Sequence, residues 1–561
     1  MRNNRLEPRN PAGALARRDE ERVGSLRQSQ FEEFLIKSVL APGCFLCYNR
    51  IMEMVLVLDF GSQYTQLIAR RVRELGVFSQ IVPYHTPLEE IKKMAPRAII
   101  LSGGPQSVYD QDAPLPEKAL FSLPVPLLGI CYGLQVMVHT LGGKVHPSSK
   151  REYGFAQLRV KDSQGLLKGL SPKAQVWMSH GDSVGEVPPG FIISGWTQNC
   201  PVAVVENREK KYFGVQFHPE VVHTQEGRQL LANFLFAIAG LQADWSMQSF
   251  IGQKVDEIRR QVGPEKVICG LSGGIDSLVT ALLIERAIQD RLICVLVDNG
   301  LLRKGQYEEL LECFKKQFSF NLKGRQESDR FLKRLKGILS PEMKRKIIGE
   351  EFIRVFEDEA TREGGVRFLA QGTIYPDVIE SVPVKGPSAS IKSHHNVGGL
   401  PAQHGFQLVE PLRELFKDEV REVARQLGVP QDIIRQHPFP GPGLAVRVVG
   451  EITKERLDLL REVDAILVEE VKKARLYAQL WQAFAVLLPV KSVGVMGDKR
   501  TYQRVVALRL VTSVDGMTAD WYPASPRFLN RVATRIINEV DGVNRVVYDI
   551  TSKPPGTIEW E

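Results

Sequence analysis

The chain of 561 residues is poor in cysteine and lacks any long apolar segment. Its cysteines number seven, at positions 44, 47, 131, 200, 269, 294 and 313. Because the cysteines are few and their number is odd, they exclude a secreted disulfide framework and favour a reducing cytoplasm. No run of about 18 apolar residues occurs, so we predict no membrane span. At roughly 100–200 residues per domain, the length predicts about three domains.

No region of the chain concentrates charge of one sign, although the formal net charge is +8. Residues 1–51 contain nine basic and six acidic residues, and the last 125 residues contain 17 and 15. A positive excess spread in this way is more typical of a solvated surface than of a nucleic-acid interface. We therefore expect neither a nucleic-acid nor a membrane partner. Local basic pockets for phosphates remain compatible with this distribution.

Residues 1–52 lack the patterns of a targeting segment. They contain no uninterrupted apolar stretch with a small-residue cleavage site, and five carboxylates between Asp19 and Glu33 fit poorly with a transit peptide. We predict a disordered extension, for which translation upstream of the true start is one explanation. Cys44 and Cys47 have zinc-knuckle spacing, but the segment lacks the second ligand pair that a zinc site needs.

From residue 53 onward, patterns of short buried strands alternate with helical patterns. The first block has predicted strands at 55–58, 98–101, 125–130 and 212–217, with helices at 64–75 and 133–141. A second strand–helix series begins at Val267, and a Pro/Gly-rich stretch at 437–443 marks a third block. Such alternation predicts parallel α/β sheets, which bind ligands at the carboxyl ends of their strands.

A candidate nucleophile, Cys131, lies in the sequence Gly-Ile-Cys-Tyr-Gly at residues 129–133. Small residues flank a nucleophile where a sharp strand-to-helix turn exposes it. At the start of a helix, the helix dipole stabilises a thiolate. A buried structural cysteine in such a turn remains an alternative from the pentapeptide alone.

His218 and Glu220 follow another predicted strand of the same block. A carboxylate two positions from a histidine on an extended segment lies on the same side and can orient the imidazole. The imidazole can then accept the thiol proton. The turn at Ser102–Pro105 offers backbone N–H groups for an oxyanion hole. Together these features favour a thiol nucleophile over a surface His–Glu pair.

Residues 55–240 resemble the class I glutamine amidotransferases in these motifs. The resemblance implies that Cys131, His218 and Glu220 hydrolyse glutamine to glutamate and ammonia through a γ-glutamyl thioester. It also implies that the backbone amides of Gly104 and Tyr132 form the oxyanion hole. The side chains expected to help hold glutamine are Gln135, Ser179, His180 and Asp182.

A glycine-rich loop, Ser272–Ser277 with the sequence SGGIDS, follows the strand that begins at Val267. The loop offers consecutive N–H groups and two hydroxyls at the start of a predicted helix. It lacks the lysine with which other nucleotide-binding loops reach a transferred γ-phosphate. It therefore suits a pyrophosphate leaving group. Its carboxylate, Asp276, is sensible if Mg²⁺ accompanies the phosphates.

This loop is similar to that of the PP-loop ATP pyrophosphatases, which cleave ATP between the α- and β-phosphates. The resemblance implies that Ser272, Gly273, Gly274, Ile275, Asp276 and Ser277 bind ATP. Val297 and Asp298, at the end of the next predicted strand, are expected on the adenosine side.

The remaining motifs narrow the resemblance to the GMP synthase (glutamine-hydrolysing) family. They include VDNGLLR at 297–303, QGTIYPDVIES at 371–381, IKSHHNVGGLP at 391–401, PFPGPGLAVRV at 438–448 and DITSKPPGTIEWE at 549–561. The resemblance spans about residues 55–561. It implies three small-molecule substrates, glutamine, ATP and xanthosine 5′-monophosphate (XMP), with Mg²⁺ accompanying ATP. It also implies a homodimer.

The resemblance further assigns roles to individual residues. XMP contacts are expected from Arg303, Lys553, Ile558 and Glu559, although a frayed C-terminus is the alternative that sequence alone allows. Lys392, His394 and His395 are expected on a mobile lid rather than at a metal. Asp276 and Asp377 are the candidate Mg²⁺ ligands.

We therefore predict an α/β protein of three folded domains. The expected boundaries are an extension at 1–52, a class I amidotransferase α/β domain at 53–245, a doubly wound parallel-sheet ATP pyrophosphatase domain at 246–436 and a smaller α+β dimerisation and XMP-binding domain at 437–561. The alternatives are a PP-loop amidotransferase with another acceptor, a tRNA-thiolation protein and an inactive scaffold. A thiolation enzyme would carry a catalytic cysteine pair beside the loop, and a scaffold would have lost motif residues.

Overall fold

The computed structural model describes residues 53–381 and 405–561, apart from residues 497, 514, 515 and 517. The expected lid residues Lys392, His394 and His395 lie outside the described residues, as do the 1–52 extension and its two cysteines. Residues 53–561 belong to a single structural unit. No helix in the described ranges is long and apolar enough to cross a membrane.

A nine-stranded sheet forms the first block of the described chain. Its strands are β1 Met54–Asp59, β2 Phe78–Pro83, β3 Ala98–Leu101, β4 Leu127–Ile130, β5 Lys144–Val160, β6 Lys173–Glu186, β7 Ile192–Trp196, β8 Val204–Asn207 and β9 Tyr212–Val215. Its helices are α1 Thr65–Glu74, α2 Leu88–Met94, α3 Tyr132–Thr140 and α4 Gly227–Ala232, with a π-helical turn at Asn233–Ile238.

The order of these strands, β2-β1-β3-β4-β9-β8-β7-β5-β6, divides the sheet into two halves. Strands β2, β1, β3, β4 and β9 are parallel neighbours, and their apolar residues are almost completely buried. Strands β5 to β8 extend the sheet with antiparallel pairings. The sequence predicted four of the five parallel strands, missing β2, and none of the antiparallel ones. Residues on β6 alternate between buried and exposed, which is typical of an antiparallel strand with one solvated face.

The second block is built on a fully parallel sheet. Its strands are β10 Val267–Gly270, β11 Leu292–Asp298, β12 Asn321–Gln326, β13 Phe368–Ala370 and β14 Gln407–Val409. Its helices are α5 Met247–Val262, α6 Ile275–Ile288, α7 Gln306–Gln317, α8 Ser328–Leu335, α9 Pro341–Arg362, α10 Tyr375–Ser381, α11 Lys417–Gln426 and α12 Gln431–Ile434.

Strand order in this sheet is β12-β11-β10-β13-β14. Successive strands are therefore added on one side of β10 up to β12 and then on its other side from β13, so the strand order reverses between β10 and β13. A parallel sheet binds ligands outside the carboxyl ends of its strands at such a reversal. The SGGIDS loop follows β10 directly, and Gln371 follows β13. The topology therefore places the predicted phosphate loop at the expected position.

The third block contains β15 Gln482–Met496, β16 Lys499–Thr512, β17 Asp520–Trp521 and β18 Val543–Tyr548, with helices α13 Lys454–Lys473 and α14 Pro526–Glu539. Strand β16 lies between β15 and β18, pairing antiparallel with the first and parallel with the second. Its core is continuous with that of the second block, because Ile268 and Val295 belong to the same apolar cluster as Leu457 and Val506. The predicted α/β class is confirmed.

Candidate active sites

Cys131 lies in the sharp turn that joins β4 to α3. Its backbone has φ 52° and ψ −107°, which is unusual for a residue with a side chain. A Cβ added to Gly133 would lie 2.3 Å from the carbonyl oxygen of Leu101, and one added to Gly129 would lie 2.7 Å from Gly133. The two glycines are required because the backbone passes too close at both positions. Strain at a nucleophile of this kind is typical of a functional turn.

His218 and Glu220 form a buried pair. His218 Nδ1 lies 2.7 Å from Glu220 Oε1, and both side chains are almost inaccessible to solvent. Because an ionised carboxylate only accepts hydrogen bonds, Nδ1 carries the proton. Nε2 is then the nitrogen left to exchange a proton with the thiol.

The charge state of His218 is set by opposing effects. Burial by itself lowers the pKa of His218, but the Glu220 charge and hydrogen bonds with Cys131 and Glu220 raise that pKa well above its usual value. The imidazolium is therefore favoured in the folded protein. A cation beside the sulfur stabilises a thiolate.

The residues expected to form the oxyanion hole lie against this pair. A Cβ added to Gly103 would lie 3.2 Å from His218 Cε1, and one added to Gly104 would lie 2.9 Å from the Tyr132 ring. Tyr132 is the first residue of α3. Burial raises the pKa of the Tyr132 hydroxyl, which contacts the carbonyl of Pro114 at 3.2 Å. Residues 103, 104 and 132 are therefore brought together next to the imidazole.

The residues expected to hold glutamine also converge on Cys131. Gln135 Nε2 donates to the carbonyl of Asp182 at 2.8 Å, and His180 Nδ1 donates to the same carbonyl at 2.9 Å. The Cys131 sulfur lies 3.6 Å from the carbonyl of Ser179. Burial lowers the pKa of His180, although the Asp182 carbonyl and Glu152 oppose that effect.

Two contacts at this site were missed by sequence reasoning. Gln216 Nε2 lies 3.7 Å from the Cys131 sulfur, and Arg71 Nε donates to the carbonyl of Glu220 at 2.9 Å. Gln216 lies two positions before His218 in the sequence, so it was accessible to inference. Arg71 lies on α1, 149 positions from its partner, and has no local motif that would have identified it.

The serine hydroxyls of the SGGIDS loop form hydrogen bonds within the loop itself. The Ser277 hydroxyl accepts from the backbone N–H of Ser272 at 3.2 Å and lies 3.1 Å from the Ser272 hydroxyl. Gly273 has φ +82°, which only glycine adopts without strain, and Ile275 begins helix α6. Consecutive N–H groups at a helix start form an anion-binding concavity.

Asp276 is held by a residue that sequence reasoning also missed. Lys417, the first residue of α11, forms an ion pair with Asp276 Oδ2. The other oxygen, Oδ1, is buried and has no hydrogen-bond partner among the described residues. Gly372 packs against the Asp276 backbone, and the Asp377 carboxylate accepts from the N–H of Ile374 at 3.0 Å. Asp298 accepts from the N–H of Gly300 at 2.9 Å at the end of β11.

The start of α11 also contacts the first block. Asp418 pairs with Arg70 of α1 at 3.1 Å, and Glu419 pairs with Arg73 of the same helix at 2.8 Å. Arg73 is almost completely buried and lies over four aromatic rings. Three consecutive residues, 417–419, therefore link the SGGIDS loop to α1, whose Arg71 donates to the carbonyl of Glu220.

The C-terminal residues are docked rather than frayed. Arg447, which is fully buried, binds both oxygens of Glu559 at 2.8 and 3.0 Å. Lys553 Nζ donates to the carbonyl of Gly516 at 2.7 Å, and Ile558 packs on Phe484 and its neighbours. Buried Lys344 forms an ion pair with Glu561. Arg303 pairs with Asp464 at 3.1 Å on the facing helix α13.

Three family matches cover these blocks. Residues 56–238 match the glutamine amidotransferase class-I family, residues 246–323 match the NAD synthase family, and residues 469–560 match the GMP synthase C terminal domain.

Curated relatives match almost the whole described chain. The GMP synthase [glutamine-hydrolyzing] of Aquifex aeolicus is 58% identical over 507 residues, which cover 90% of this chain and 99% of that protein. Those of Chlorobaculum tepidum and Carboxydothermus hydrogenoformans are 58% and 56% identical, again over 99% of their own lengths and over 91% and 90% of this chain. The chain therefore belongs to the GMP synthase (glutamine-hydrolysing) family.

Proposed function

We propose that this chain converts XMP to GMP with ATP and glutamine, and that it divides the reaction between the Cys131 site and the SGGIDS loop. The observation that supports this proposal is the presence of two separate clusters of suitable groups in one chain. One contains a thiol, an imidazole and a carboxylate in buried contact. The other is a phosphate loop at the reversal of a parallel sheet.

At the first site, the thiolate of Cys131 attacks the amide carbon of glutamine while His218 gives its proton to the leaving ammonia. Glu220 keeps the imidazole in the tautomer that presents Nε2 to the reacting atoms. The N–H groups of Gly104 and Tyr132 stabilise the oxyanion. Water then hydrolyses the thioester to glutamate. Gln135, Ser179, His180 and Asp182 orient the substrate.

At the second site, Ser272–Ser277 hold the β,γ-pyrophosphate of ATP, with Val297 and Asp298 on the adenosine side. The O2 atom of XMP attacks the α-phosphate, so that the bond to pyrophosphate breaks and adenylyl-XMP forms. Ammonia then attacks C2 and AMP leaves. An amide-like oxygen is a poor leaving group until it is adenylated. Lys417, which now forms an ion pair with Asp276, is placed to bind a phosphate oxygen in its stead.

Asp276 is suited to bind Mg²⁺ because its buried Oδ1 has no hydrogen-bond partner among the described residues. We assign Asp276, with Asp377 as a second carboxylate, to the ion that accompanies ATP. When bound, that ion neutralises charge on the departing pyrophosphate.

The proposed XMP site comprises Arg303, Lys553, Ile558 and Glu559. Support comes from the docked C-terminal segment, in which Arg447 and Gln482 orient the Glu559 carboxylate. A carboxylate so oriented is prepared to accept a purine N–H. Lys392, His394 and His395 remain the predicted lid.

We also propose a cytoplasmic homodimer with the domain boundaries 53–245, 246–436 and 437–561. The outer half of the β15–β16 hairpin supports the dimer, because Val493, Val495 and Tyr502 are 46%, 77% and 61% exposed there. Exposed apolar side chains on one hairpin are typical of a partner surface. The described cysteines are free, which suits a reducing compartment.

The assay that tests this function measures AMP released with glutamine as nitrogen donor and with XMP, IMP or deamido-NAD⁺ as acceptor. We expect AMP release in step with GMP formation from XMP alone. Release only with deamido-NAD⁺ would instead identify the alternative PP-loop amidotransferase. No release with any acceptor, while ATP still binds, would indicate the inactive scaffold.

A further inference from the structure

Next to the Cys131 site lies a buried cluster of three possible metal ligands, of which the proposed glutaminase mechanism uses only His180, to orient glutamine. Glu152 on β5, His180 on β6 and Cys200, after β7, are all buried. One ligand atom from each lies within 4.8 Å of the other two. Carboxylate, imidazole and thiolate are the three ligand types that Zn²⁺ prefers in proteins.

The hydrogen bonds of His180 leave a lone pair pointing into this cluster. A backbone carbonyl can only accept, so the 2.9 Å contact with the carbonyl of Asp182 requires a proton on Nδ1. In a neutral imidazole, Nε2 then carries a lone pair. This Nε2 atom is buried and has no hydrogen bond among the described residues. The Glu152 carboxylate faces this nitrogen, with Oε2 at 3.5 Å.

Two acceptors therefore face each other in a buried position, which is unfavourable unless a cation lies between them. A proton on the imidazole provides one solution and a metal ion provides the other. The spacing suits the metal: two ligands about 2.0–2.1 Å from a tetrahedral Zn²⁺ are about 3.4 Å apart. The Cys200 sulfur, which now contacts the carbonyl of Val202 at 3.4 Å, lies within 4.8 Å of both other ligand atoms.

The side chains around the cluster also resemble a metal-binding shell. The Thr197 hydroxyl lies 3.1 and 3.2 Å from the two Glu152 oxygens, and it accepts from the N–H of Cys200 at 3.0 Å. The Asp182 carbonyl fixes the His180 ring. Such contacts orient metal ligands and set the histidine tautomer.

We propose that Glu152, His180 and Cys200 bind Zn²⁺, with a water molecule as the fourth ligand. Binding displaces the Cys200 thiol proton and joins β5, β6 and the segment after β7. Because Ser179 and Asp182 contact Cys131 and Gln135, the ion also fixes one wall of the glutamine pocket.

The test uses the full chain as Cys131→Ala, which removes the reactive thiol that would otherwise compete for metal. Co²⁺ is added as a spectroscopic substitute for Zn²⁺. We expect one equivalent of Co²⁺ to give a tetrahedral visible spectrum with a sulfur-to-cobalt charge-transfer band. One equivalent of Zn²⁺ should abolish that spectrum and raise the thermal unfolding midpoint.

Two further variants in the same background decide the assignment. Cys131→Ala/Cys200→Ser should lose the charge-transfer band and the thermal shift, whereas the matched control Cys131→Ala/Cys313→Ser should keep both. Circular dichroism and a cooperative thermal unfolding transition report that each variant is folded. A band unchanged by Cys200→Ser would place the metal at another thiol, such as the 44/47 pair, and would overturn the proposal. Absence of any cobalt band would show that the cluster is an ion pair only.

Cys200→Ser alone does not separate ligation from packing, so Glu152→Gln in the Cys131→Ala background provides an independent variant. This substitution removes a charged ligand while keeping the thiol and the side-chain volume. We expect Co²⁺ affinity to fall at least tenfold while the charge-transfer band persists at saturation. Unchanged affinity would exclude Glu152 as a ligand and overturn the three-residue site.

Discussion

The two sites of this chain contrast in how much of their geometry exists before substrate binds. Cys131, His218 and Glu220 are buried, and the histidine and carboxylate are already in contact at 2.7 Å. The SGGIDS loop is largely accessible, and its hydroxyls bond to each other. Its carboxylate is paired with Lys417. The geometry of the Cys131 site is therefore in place before substrate binds. In the proposed function, the SGGIDS loop must break its internal hydrogen bonds and its ion pair to bind ATP.

This difference follows from what each site must stabilise. Burial disfavours a thiolate, so the protein must supply a fixed cation beside the sulfur permanently. ATP carries its own charge and its own ion, so the loop needs only free N–H groups and an adjustable cation. The comparison predicts that substitutions at the first site act on the glutamine reaction alone. Substitutions at the second site should affect synthesis from either nitrogen source.

The largest effects are expected from removing the central group of each site. Cys131→Ala should reduce glutamine-dependent GMP synthesis by about 10³-fold or more, because no other described group replaces the nucleophile. Synthesis from added ammonium should remain near the wild-type rate. Asp276→Ala should reduce both reactions by about 10²–10³-fold. Steady-state rates with glutamine and with ammonium measure the two reactions.

Retained circular dichroism and XMP binding serve as controls for folding in this pair. Loss of ammonium-dependent synthesis in folded Cys131→Ala would contradict the division into two sites. Normal ammonium-dependent synthesis in Asp276→Ala would contradict the role given to the loop carboxylate.

Adding one methyl group at each site should sharpen the contrast between fixed and adjustable geometry. In Gly133→Ala the new Cβ meets the backbone carbonyl of Leu101 at 2.3 Å, which cannot move without distorting the sheet. We expect a loss of about 2–4 kcal/mol in stability of the first block, together with loss of glutaminase activity. In Gly273→Ala the contact is the end of the Leu310 side chain at 2.7 Å, which can rotate.

Gly273→Ala should therefore cost only the backbone strain of its φ of +82°, about 1–2 kcal/mol. Its expected effect is about a tenfold higher KM for ATP, with an unfolding midpoint that falls by only about 2–4 °C per kcal/mol of this strain. Gly364→Ala has a similar φ of +91° and open space around its Cβ, so it controls for strain away from both sites. Equal destabilisation by Gly133→Ala and Gly273→Ala would contradict the proposed difference in rigidity.

Lys417 tests whether the loop depends on a cation from outside its own motif. Lys417→Met keeps the length of the side chain but leaves Asp276 without its partner. We expect ammonium-dependent synthesis to fall about 10–100-fold, because a charge facing the phosphates is lost. Hydrolysis of glutamine by the Cys131 site should continue. Lys454→Met, at an exposed ion pair, is the control and should have no effect.

The parallel strands could be predicted because each is a short apolar run followed by a turn motif, as at Leu127–Ile130 and Val267–Gly270. The long hairpin of β5 and β6 could not, because one face is solvated and its pattern mixes polar and apolar residues. Strand β6 nevertheless carries His180 and Asp182. The family resemblance thus pointed to His180 and Asp182, although the sequence did not predict the strand β6 that carries them.

Groups close in sequence to a motif were likewise predictable, whereas their distant partners were not. Cys131, His218 and the loop serines stand in short patterns with a known chemical use. Lys417, Arg71 and Glu152 reach these sites from elements 141, 149 and 28 positions away, respectively, as the contacts with Asp276, Glu220 and His180 show. Their positions depend on the packing of whole blocks, which local spacing does not encode.

The smallest expected effect concerns the charge pair inside the first site. In the folded protein the pKa of His218 is raised well above its usual value because the attraction of Glu220 and the hydrogen bonds outweigh the cost of burial. A histidine whose folded-state pKa is raised contributes stability that is complete below its unfolded pKa of about 6.5. That contribution is lost as pH rises through the folded-state value.

Glu220→Gln keeps the shape of the pair but removes the carboxylate charge. Its thermal unfolding midpoint should therefore lie below that of the wild type by a few degrees near pH 6, at about 2–4 °C per kcal/mol. The deficit should shrink as pH rises through the folded-state pKa of His218, because the wild type then loses its imidazolium as well. Differential scanning fluorimetry across this range measures the difference. A deficit independent of pH would mean that Glu220 stabilises the site by packing and hydrogen bonding, without holding a charged imidazole.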